Sequence, residues 1–213
     1  EFQRQGWNIA GAYEKRDKNR KIGSHFIKME HPDFNIKNSK GQTEAVATMN
    51  ISNSCTGAKP MELDLGAYRQ VCSNGLIAHT SYSNEKVPHS EKGQYTLNEI
   101  LCDLGIRTQG VMEEFNKLKE TQLSPKEMMN LATQSAEARF GKGHRIDVSQ
   151  LLNVVRDEDK GDDVWTVFNR IQENLTQPHR ITDHMGNIMN GVLDINEDTR
   201  INKELFELVH AYA

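Results

Sequence analysis

The order of its hydrophobic patterns is the feature that most constrains how this chain of 213 residues folds. In the first part, apolar and polar residues alternate over short stretches such as Met61–Leu65, which is typical of a half-solvated β-strand. From residue 97 onward, apolar residues recur at helical spacing. Strands that come first and helices that follow predict an α+β fold rather than alternating α/β units. We expect one α+β domain over residues 1–213, with an N-terminal antiparallel β-sheet region in 1–95 and a helical C-terminal half in 96–213.

Turn-forming residues divide the first part into strands. Pro32 interrupts a strand pattern over residues 24–37, which predicts a bulge, an edge or a turn at this point. Residues 38–42 are rich in Asn, Ser and Gly and predict a loop that leads to a strand over 45–51. Residues 84–93 are polar and contain one Pro, so we expect a mobile loop there.

Capping signals indicate where helices begin in the second part. Ser124 followed by Pro125 and Glu127 has the pattern of a capping box, and Gly141 is a stop signal for the same helix. This helix is the most sharply bounded element that the sequence predicts. Further helix caps are expected at Asp147, Asp162 and Asn202.

Charge is distributed unevenly along the chain. The net charge is −4 and the pI is near 6.1, so the overall charge does not indicate nucleic-acid binding. Residues 14–28, however, contain six Lys and Arg residues against Glu14 and Asp17. Residues 157–163 contain five acidic residues against Lys160. These two segments are therefore the candidates for recognition by charge.

Apolar runs and cysteines bear on the cellular compartment. No apolar run approaches the roughly 18 residues of a spanning helix, and no signal peptide is visible. Cys55, Cys72 and Cys102 are far apart and odd in number, which argues against a disulfide framework and a structural zinc site. We expect buried, reduced thiols in a cytoplasmic protein that does not contact a membrane.

The motifs for catalysis, metals and cofactors have low specificity. His179, Asp183 and His184 offer metal-ligand types, but the spacings of zinc sites are not met and exposed loop histidines are favoured. The segment Gly141–His144 lacks the P-loop pattern and is interpreted as a helix end. Residues 194–198 are not followed by the Gly and Glu that a calcium loop requires. We therefore predict no catalytic residue, no metal and no cofactor, and an enzyme is the least favoured class.

Three parts of the chain carry distinctive motifs. They are His31-Pro-Asp-Phe34, then Asn53-Ser-Cys-Thr-Gly57 leading into Gly66-Ala-Tyr-Arg-Gln-Val-Cys-Ser-Asn-Gly-Leu76, and finally Trp165-Thr-Val-Phe-Asn169 with Gln172-Glu-Asn174. Together they resemble the phage/plasmid-like protein family whose domain has no assigned function. Thr56 departs from this resemblance, because the family usually has Asp there. The resemblance implies a protein carried by phages and mobile elements that acts inside a bacterial cell.

The basic segment supports a first hypothesis about function. Its Lys and Arg residues stand near Trp7, Tyr13 and Phe26, and cations beside aromatics are the composition of a single-strand binding surface. The alternative is a solvated segment whose aromatics pack into the core. With the resemblance, the segment predicts a nucleic-acid-binding protein of phage or plasmid DNA metabolism, with an oligomeric single-strand annealing protein as one type. Arg69 is expected to need a partner such as Asp64 or a bound phosphate. The predicted nucleic-acid-binding residues are Arg16, Lys18, Arg20, Lys21 and Arg69.

The acidic segment 157–163 supports a second hypothesis. A non-enzymatic interaction protein that binds a host factor, for example to counter a defence system, would use this segment as a charge mimic of nucleic acid. A solvated loop that ends in a helix cap is the structural alternative for the same residues. Both hypotheses place the protein in the cytoplasm of a bacterial host cell.

Overall fold

Two compact units make up the chain in this computed structural model. It describes residues 1–17, 20–38, 40–54, 56–57, 59–69, 75–77 and 84–212, and it leaves out the side chains of 15–17, 20–22, 75–77 and 195–196. Contacts divide the chain into residues 1–113, called the sheet unit here, and residues 114–213, called the helical unit. Strands precede helices along the chain, which confirms the predicted α+β class. The expectation of a single domain stays a prediction.

One antiparallel sheet forms the sheet unit. Its strands follow the order β1-β2-β3-β4-β5, and β6 also pairs with β4. A 3₁₀ helix over Phe2–Gln5 precedes the sheet. The strands are β1 (Asn8–Asp17), β2 (Arg20–Lys37), β3 (Thr43–Ser54), β4 (Met61–Arg69), β5 (Gly75–Ile77) and β6 (Asn84–Val87).

An apolar face runs across the three central strands. Met29 of β2 pairs with Met49 of β3, which pairs with Leu65 of β4, and all three side chains are buried. On the opposite face of β4, Glu62 is partly exposed, but Asp64 is buried and accepts a hydrogen bond from the side-chain amide of Asn84 on β6. The prediction that β4 is half-solvated is therefore wrong at this residue.

Both predicted interruptions near the end of β2 are confirmed. β2 pairs with β3 up to His31 and resumes at Asn35, so the residues between them, which include the proline, bulge out of the ladder. Asn38 Oδ1 accepts hydrogen bonds from the backbone amides of Lys40 and Gln42 at 3.0 Å each, which closes the turn to β3.

The predicted mobile loop over residues 84–93 is wrong. β6 occupies Asn84–Val87 and pairs with β4, and a helix begins at Glu91. Gly93 packs so closely that a Cβ atom there would lie 1.8 Å from the carbonyl oxygen of Pro88. Glycine is therefore required by this close approach rather than by a flexible loop.

Helices account for most of the chain after residue 90. The helical spacing that the sequence shows from residue 97 onward begins within one continuous helix over Glu91–Glu120, and the boundary between the units falls within this helix. Short 3₁₀ helices cover Val148–Leu152 and Asp157–Asp159. The α-helices are α1 (Glu91–Glu120), α2 (Pro125–Phe140), α3 (Val164–Thr176) and α4 (Ile195–His210).

α3 is the centre of the helical unit. Every one of its 13 residues is buried, and α2, α4 and both 3₁₀ helices pack around it. Phe115, in the last turns of α1, places its ring centroid 5.4 Å from that of Trp165 and 5.5 Å from that of Phe206. Aromatic packing of this kind contributes beyond the burial of area alone.

Two of the predicted helix starts are confirmed. Ser124 forms the full capping box with Glu127, and the backbone amide of Gly141 closes the helix by donating to a carbonyl in its last turn. Asp147 accepts a hydrogen bond from the amide of Ser149 at 3.0 Å and caps the first 3₁₀ helix.

The other two predicted caps are wrong. Asp163, not Asp162, caps α3 by accepting from the backbone amide three residues on, at 2.9 Å. α4 begins after Asp194, whose carboxylate accepts from the amide three residues on, at 3.2 Å. Asn202 lies in the interior of α4, is buried, and donates to the carbonyl one turn earlier.

Cys102 is exposed on α1, so the prediction of a buried thiol is wrong for this residue. Cys55 and Cys72 lie outside the described residues.

Among the helices that the structure describes, none has the length and apolarity to cross a membrane.

Candidate nucleic-acid interface

β1 and β2 form a hairpin that extends past the rest of the sheet. β3 accompanies β2 only as far as the pair Ser24–Ser54. The pairing of β1 with β2 continues outward from there to the pair Asp17–Arg20. Within the described residues, no third strand accompanies this outer part. This outer part is two-stranded over the described residues 15–17 and 20–23, and we call the segment 15–23 the ribbon.

The ribbon contains the four predicted N-terminal cations. The backbone of Arg16, Arg20 and Lys21 belongs to β1 and β2, whereas Lys18 and the side chains of all four residues lie outside the described part of the chain. In sequence, the ribbon holds five Lys or Arg residues against one Asp. The backbone thus places three of the four positions in one hairpin, and their contact with nucleic acid stays a prediction.

Arg69, the fifth predicted residue, is in the interior of the sheet unit. Only 1% of its side chain is exposed, and its Nε donates to Oε1 of Glu44 at 2.9 Å. The predicted need for a partner is confirmed, but the partner in this contact is Glu44 and not the suggested Asp64. A direct contact between Arg69 and nucleic acid stays a prediction.

The three aromatics of the basic segment differ in exposure. Tyr13 is 62% exposed and faces Phe26 in the pairing of β1 with β2. Trp7 is buried and packs edge-on against His31, with ring centroids 5.4 Å apart. Trp7 thus follows the alternative in which aromatics pack into the core, whereas Tyr13 presents its ring to solvent beside the ribbon.

Lys28, the remaining cation of the basic segment, contacts other residues of the sheet. Its Nζ lies 3.2 Å from the ring centroid of Tyr68 and 3.3 Å from a carboxylate oxygen of Glu30. Burial lowers the pKa of Lys28, while the charge and hydrogen bond of Glu30 act in the opposite direction. Lys28 is therefore a structural cation rather than a candidate phosphate contact.

A groove opens on the sheet where the ribbon begins. Its volume is about 440 Å³, which is within the roughly 300–1,000 Å³ usual for ligand pockets. The polar lining side chains include His25 of β2 and Asn53 of β3, which pair across the two strands next to Ser24–Ser54. The apolar lining consists of Phe2, Ile9, Ile27, Met29, Ile51 and Met61.

One polar atom of the groove, on the side chain of Asn53, is not hydrogen-bonded within the described part of the fold. Its Oδ1 is buried and has no hydrogen-bond partner among the described residues. A buried acceptor without a partner costs free energy relative to one that is bonded. In the sequence, Asn53 stands out only as part of the motif Asn53–Gly57, and its role in the groove could not be predicted because it depends on strands that pair across the sheet.

The N-terminal 3₁₀ helix forms a fixed wall of this groove. The side chain of Gln5 donates to the carbonyl of Leu101 at 2.9 Å, and Nε2 of His31 donates to the carbonyl of Gln5 at 2.8 Å. Gly6 has φ of 92°, and a Cβ atom there would lie 2.6 Å from Nε2 of His31. These contacts hold the wall in place without closing the groove.

The acidic segment 157–163 contributes to the structure of the helical unit. Asp159 is buried and pairs with Arg156 at 3.3 Å, Asp157 pairs with Lys160, and Asp163 caps α3. These contacts agree with the structural alternative for this segment. The host-factor hypothesis stays a prediction.

The histidine loop is built around the carboxylate of Asp183. It accepts from the amides of Met185 and Asn187 at 2.8 Å each, and hydrogen bonds from Asn187 are the main cause that lowers its pKa. His184 is exposed, and His179 has a positive φ of 62°. Within the residues described, no group of three or more His, Cys, Asp and Glu side chains is arranged to hold a metal ion.

Most of the chain is similar to a known protein family and to two curated relatives. The family described as "Domain of unknown function (DUF932)" matches residues 2–205. The UPF0380 protein YafZ of Escherichia coli K12 is 30% identical over 166 residues, which are 76% of this chain and 60% of that protein. The UPF0380 protein YfjQ of the same organism is 33% identical over 127 residues, 59% of this chain and 46% of that protein. The chain thus spans about half the length of these relatives. No solved structure matches it significantly.

The comparisons agree with one part of the predicted resemblance. A family whose domain has no assigned function is confirmed. The specific motif over residues 66–76 stays a prediction, and residues 70–74 of it lie outside the described part of the chain. The origin from phages or plasmids also stays a prediction.

Proposed function

Because the chain belongs to the DUF932 family, whose description names no activity, we propose a function from its own residues: it binds nucleic acid through the ribbon. The finer form of the proposal is a protein of phage or plasmid DNA metabolism that binds single strands in the bacterial cytoplasm, with oligomeric strand annealing as one such activity. Its support is the pattern of charges and aromatics, together with the sequence resemblance described above.

The observation that carries the proposal is the ribbon itself. β1 and β2 continue beyond the pair Ser24–Ser54, and the described positions of this two-stranded extension include Lys15, Arg16, Arg20 and Lys21 against Asp17. Each Lys or Arg that neutralises a phosphate releases counterions, which favours binding at low salt. Local density of positive charge is therefore sufficient for binding, although the whole chain carries −4.

Tyr13 supports a preference for single strands. Its ring is 62% exposed on β1, close in sequence to the cations of the ribbon. Aromatic side chains beside basic residues stack on unpaired bases, which a duplex does not offer. The preference predicts that duplex DNA of equal length binds more weakly than the single strand.

Fluorescence anisotropy with a labelled single strand tests the proposal. Replacement of Arg16, Lys18, Arg20 and Lys21 by Ala should weaken binding several-fold or more at low salt. The slope of log K against log salt should flatten by up to about 3, since each phosphate contact on a single strand contributes about 0.7. Circular dichroism should show the same fold as the parent chain, so that a loss of affinity reflects the lost charges.

A matched control separates local charge from net charge. Replacement of Lys92, Lys117, Lys126 and Lys142 by Ala removes the same number of positive charges from exposed positions on or after the helices. This variant should bind like the parent chain and retain its salt slope. If both variants bind like the parent, or if both lose affinity equally, the ribbon is not the nucleic-acid surface.

A further inference from the structure

We infer that the groove beside the ribbon receives an unpaired nucleobase of the strand that the ribbon holds, with adenine as the preferred base. This inference rests on the proposed function, because it needs a strand already bound by its phosphates. It names the part of the nucleic acid that the sheet unit recognises, which the ribbon alone does not determine.

The position of the groove supports this occupant. His25 and Asn53 pair directly next to Ser24–Ser54, where the ribbon leaves the sheet. Lys21 precedes His25 by four residues on the same strand, which is about 13 Å at the usual rise of a β-strand. A strand whose phosphates lie along the ribbon therefore has its next bases at the mouth of the groove.

The lining matches the two surfaces of a base. Ile9, Ile27, Ile51 and Met61 supply apolar walls for the faces of a flat ring. The side-chain amide of Asn53 supplies an acceptor that has no partner among the described residues, together with amide donors. Amide side chains of Asn and Gln pair with the amino group and ring nitrogen of adenine in a bidentate manner. The mostly apolar lining favours a neutral base over a phosphate.

The wall of the groove explains why a base would find the site already formed. Gln5 and His31 fix the 3₁₀ helix by hydrogen bonds of 2.9 and 2.8 Å, so this wall is held in place, and the side chain of Asn53, whose Oδ1 is buried, turns to meet a base. A site that is formed in advance avoids the ordering cost that a flexible site incurs on binding.

Oligonucleotides with and without bases test the inference on the parent chain. An oligoadenylate and an abasic strand of equal length carry the same phosphates, so the ribbon should bind both. The oligoadenylate should bind about 5-fold to 150-fold more tightly, as stacking of one base contributes in other single-strand binding proteins. A 2-aminopurine placed in the strand should change its fluorescence on binding, as its base moves into the groove.

Variants locate the effect in the groove. Asn53→Leu keeps a side chain of similar size and removes the amide, so the preference for the oligoadenylate should fall while affinity for the abasic strand is unchanged. Ile9→Trp places a bulky ring at the mouth from a side chain that is 57% exposed, and it should reduce the same preference if Asn53→Leu fails to fold. Ser52→Ala, on the opposite face of β3, should behave like the parent.

The outcomes distinguish this inference from the proposed function. If the parent binds neither strand, the proposed function fails and the inference fails with it. If the parent binds both strands equally, the ribbon binds nucleic acid and the inference about the groove is overturned. If Ile9→Trp changes the sedimentation of the chain but not its preference among strands, the groove belongs to contacts with a second copy.

Discussion

The sheet unit and the helical unit both contain buried polar atoms without a hydrogen-bond partner among the described residues, such as Oδ1 of Asn53 and Oδ1 of Asn169, but the one at Asn53 lines a groove. In the helical unit, Glu173 of α3 accepts from both Arg156 and Arg180, and the side chain of Asn174 donates to the carbonyls of Leu151 and Asn153. In the sheet unit, a groove opens beside the ribbon and retains a buried amide oxygen without a partner among the described residues.

This difference indicates where function should be sought. A charge that is bonded inside the fold is needed for stability, so its presence says little about a ligand. The acidic segment 157–163 drew attention by composition, yet several of its carboxylates serve α3 and its neighbours. The groove, which is lined by the amide oxygen of Asn53 that has no partner among the described residues, is not accounted for in this way, and this makes the sheet unit the better candidate for binding.

The largest expected effect tests whether Arg69 belongs to the interior or to the binding surface. Arg69→Ala should lower the free energy of unfolding by about 3–5 kcal/mol, because it leaves the carboxylate of Glu44 buried without its guanidinium partner. Urea unfolding followed by circular dichroism measures this loss.

A control for this variant is Arg4→Ala, which removes a guanidinium that is 84% exposed and pairs with Glu1. This change should alter stability by within about 1 kcal/mol. Salt-dependent binding by any Arg69→Ala protein that remains folded should keep the slope of the parent. A flattened slope with unchanged stability would place Arg69 on the nucleic-acid surface instead.

A somewhat smaller loss is expected from the helical unit. Glu173→Ala should destabilise by about 3 kcal/mol, the low end for a broken buried ion pair, because Arg156 and Arg180 keep partial access to water. Thermal or urea unfolding measures the change. Asp157→Ala removes an exposed partner of Lys160 in the same region and should cost within about 1 kcal/mol.

The contrast between the units would be contradicted if Glu173→Ala lowered the free energy of unfolding by no more than Asp157→Ala does. The charges around α3 would then be dispensable for folding, and the acidic segment would again be a candidate for binding a partner. Capture of a host protein by the parent chain, and not by an Asp157, Glu158 and Asp159 triple alanine variant, would support that interpretation.

Two neighbouring residues, Asp162 and Asp163, should differ in how much their replacement lowers the free energy of unfolding, because only one of them caps α3. Asp163→Ala should destabilise by about 1 kcal/mol, because it removes the acceptor for the amide of Thr166 at the start of α3. Asp162→Ala should change stability by within about 0.5 kcal/mol, as its side chain is exposed. The same unfolding measurement on both variants decides which residue is the cap, and equal losses would contradict the assignment.

Local signals allowed a large part of the fold to be predicted from the sequence. The capping box at Ser124, the loop over residues 38–42 and the bulge before Asn35 each depend on residues close in the chain, and each is confirmed. Asp162 and Asp163 are both good caps, so composition alone could not choose between them. Residues 84–93 were misassigned because β6 is stabilised by pairing with β4, which is distant in sequence.

The candidate site shows the same limit. The cations of the ribbon are visible in the sequence, but their place in a hairpin of β1 and β2 was not predicted. The groove depends on which side chains of β1 to β4 share a face. Arg69 was identified as a buried cation in need of a partner, but only the register of β3 against β4 brings Glu44 within 2.9 Å.

The smallest expected effect concerns the pH dependence of α4. Burial raises the pKa of Asp198 above its usual value of 3.8, and a hydrogen bond from Asn202 opposes this only in part. The native state therefore binds a proton more tightly than the unfolded state, so this group adds stability as pH falls toward 3.8. Asp198→Asn removes the ionisation and keeps the shape of the side chain.

The difference in unfolding free energy between the parent and Asp198→Asn should therefore vary with pH. At neutral pH the variant should gain on the parent, because the parent holds a desolvated carboxylate, and this advantage should shrink as pH falls. Asp183→Asn is the control of opposite sign, since hydrogen bonds from Asn187 lower the pKa of Asp183 and its contribution is lost as pH falls. Two differences that vary in the same direction would show that burial along α4 does not control Asp198, and the helical unit would then be less enclosed than its contacts indicate.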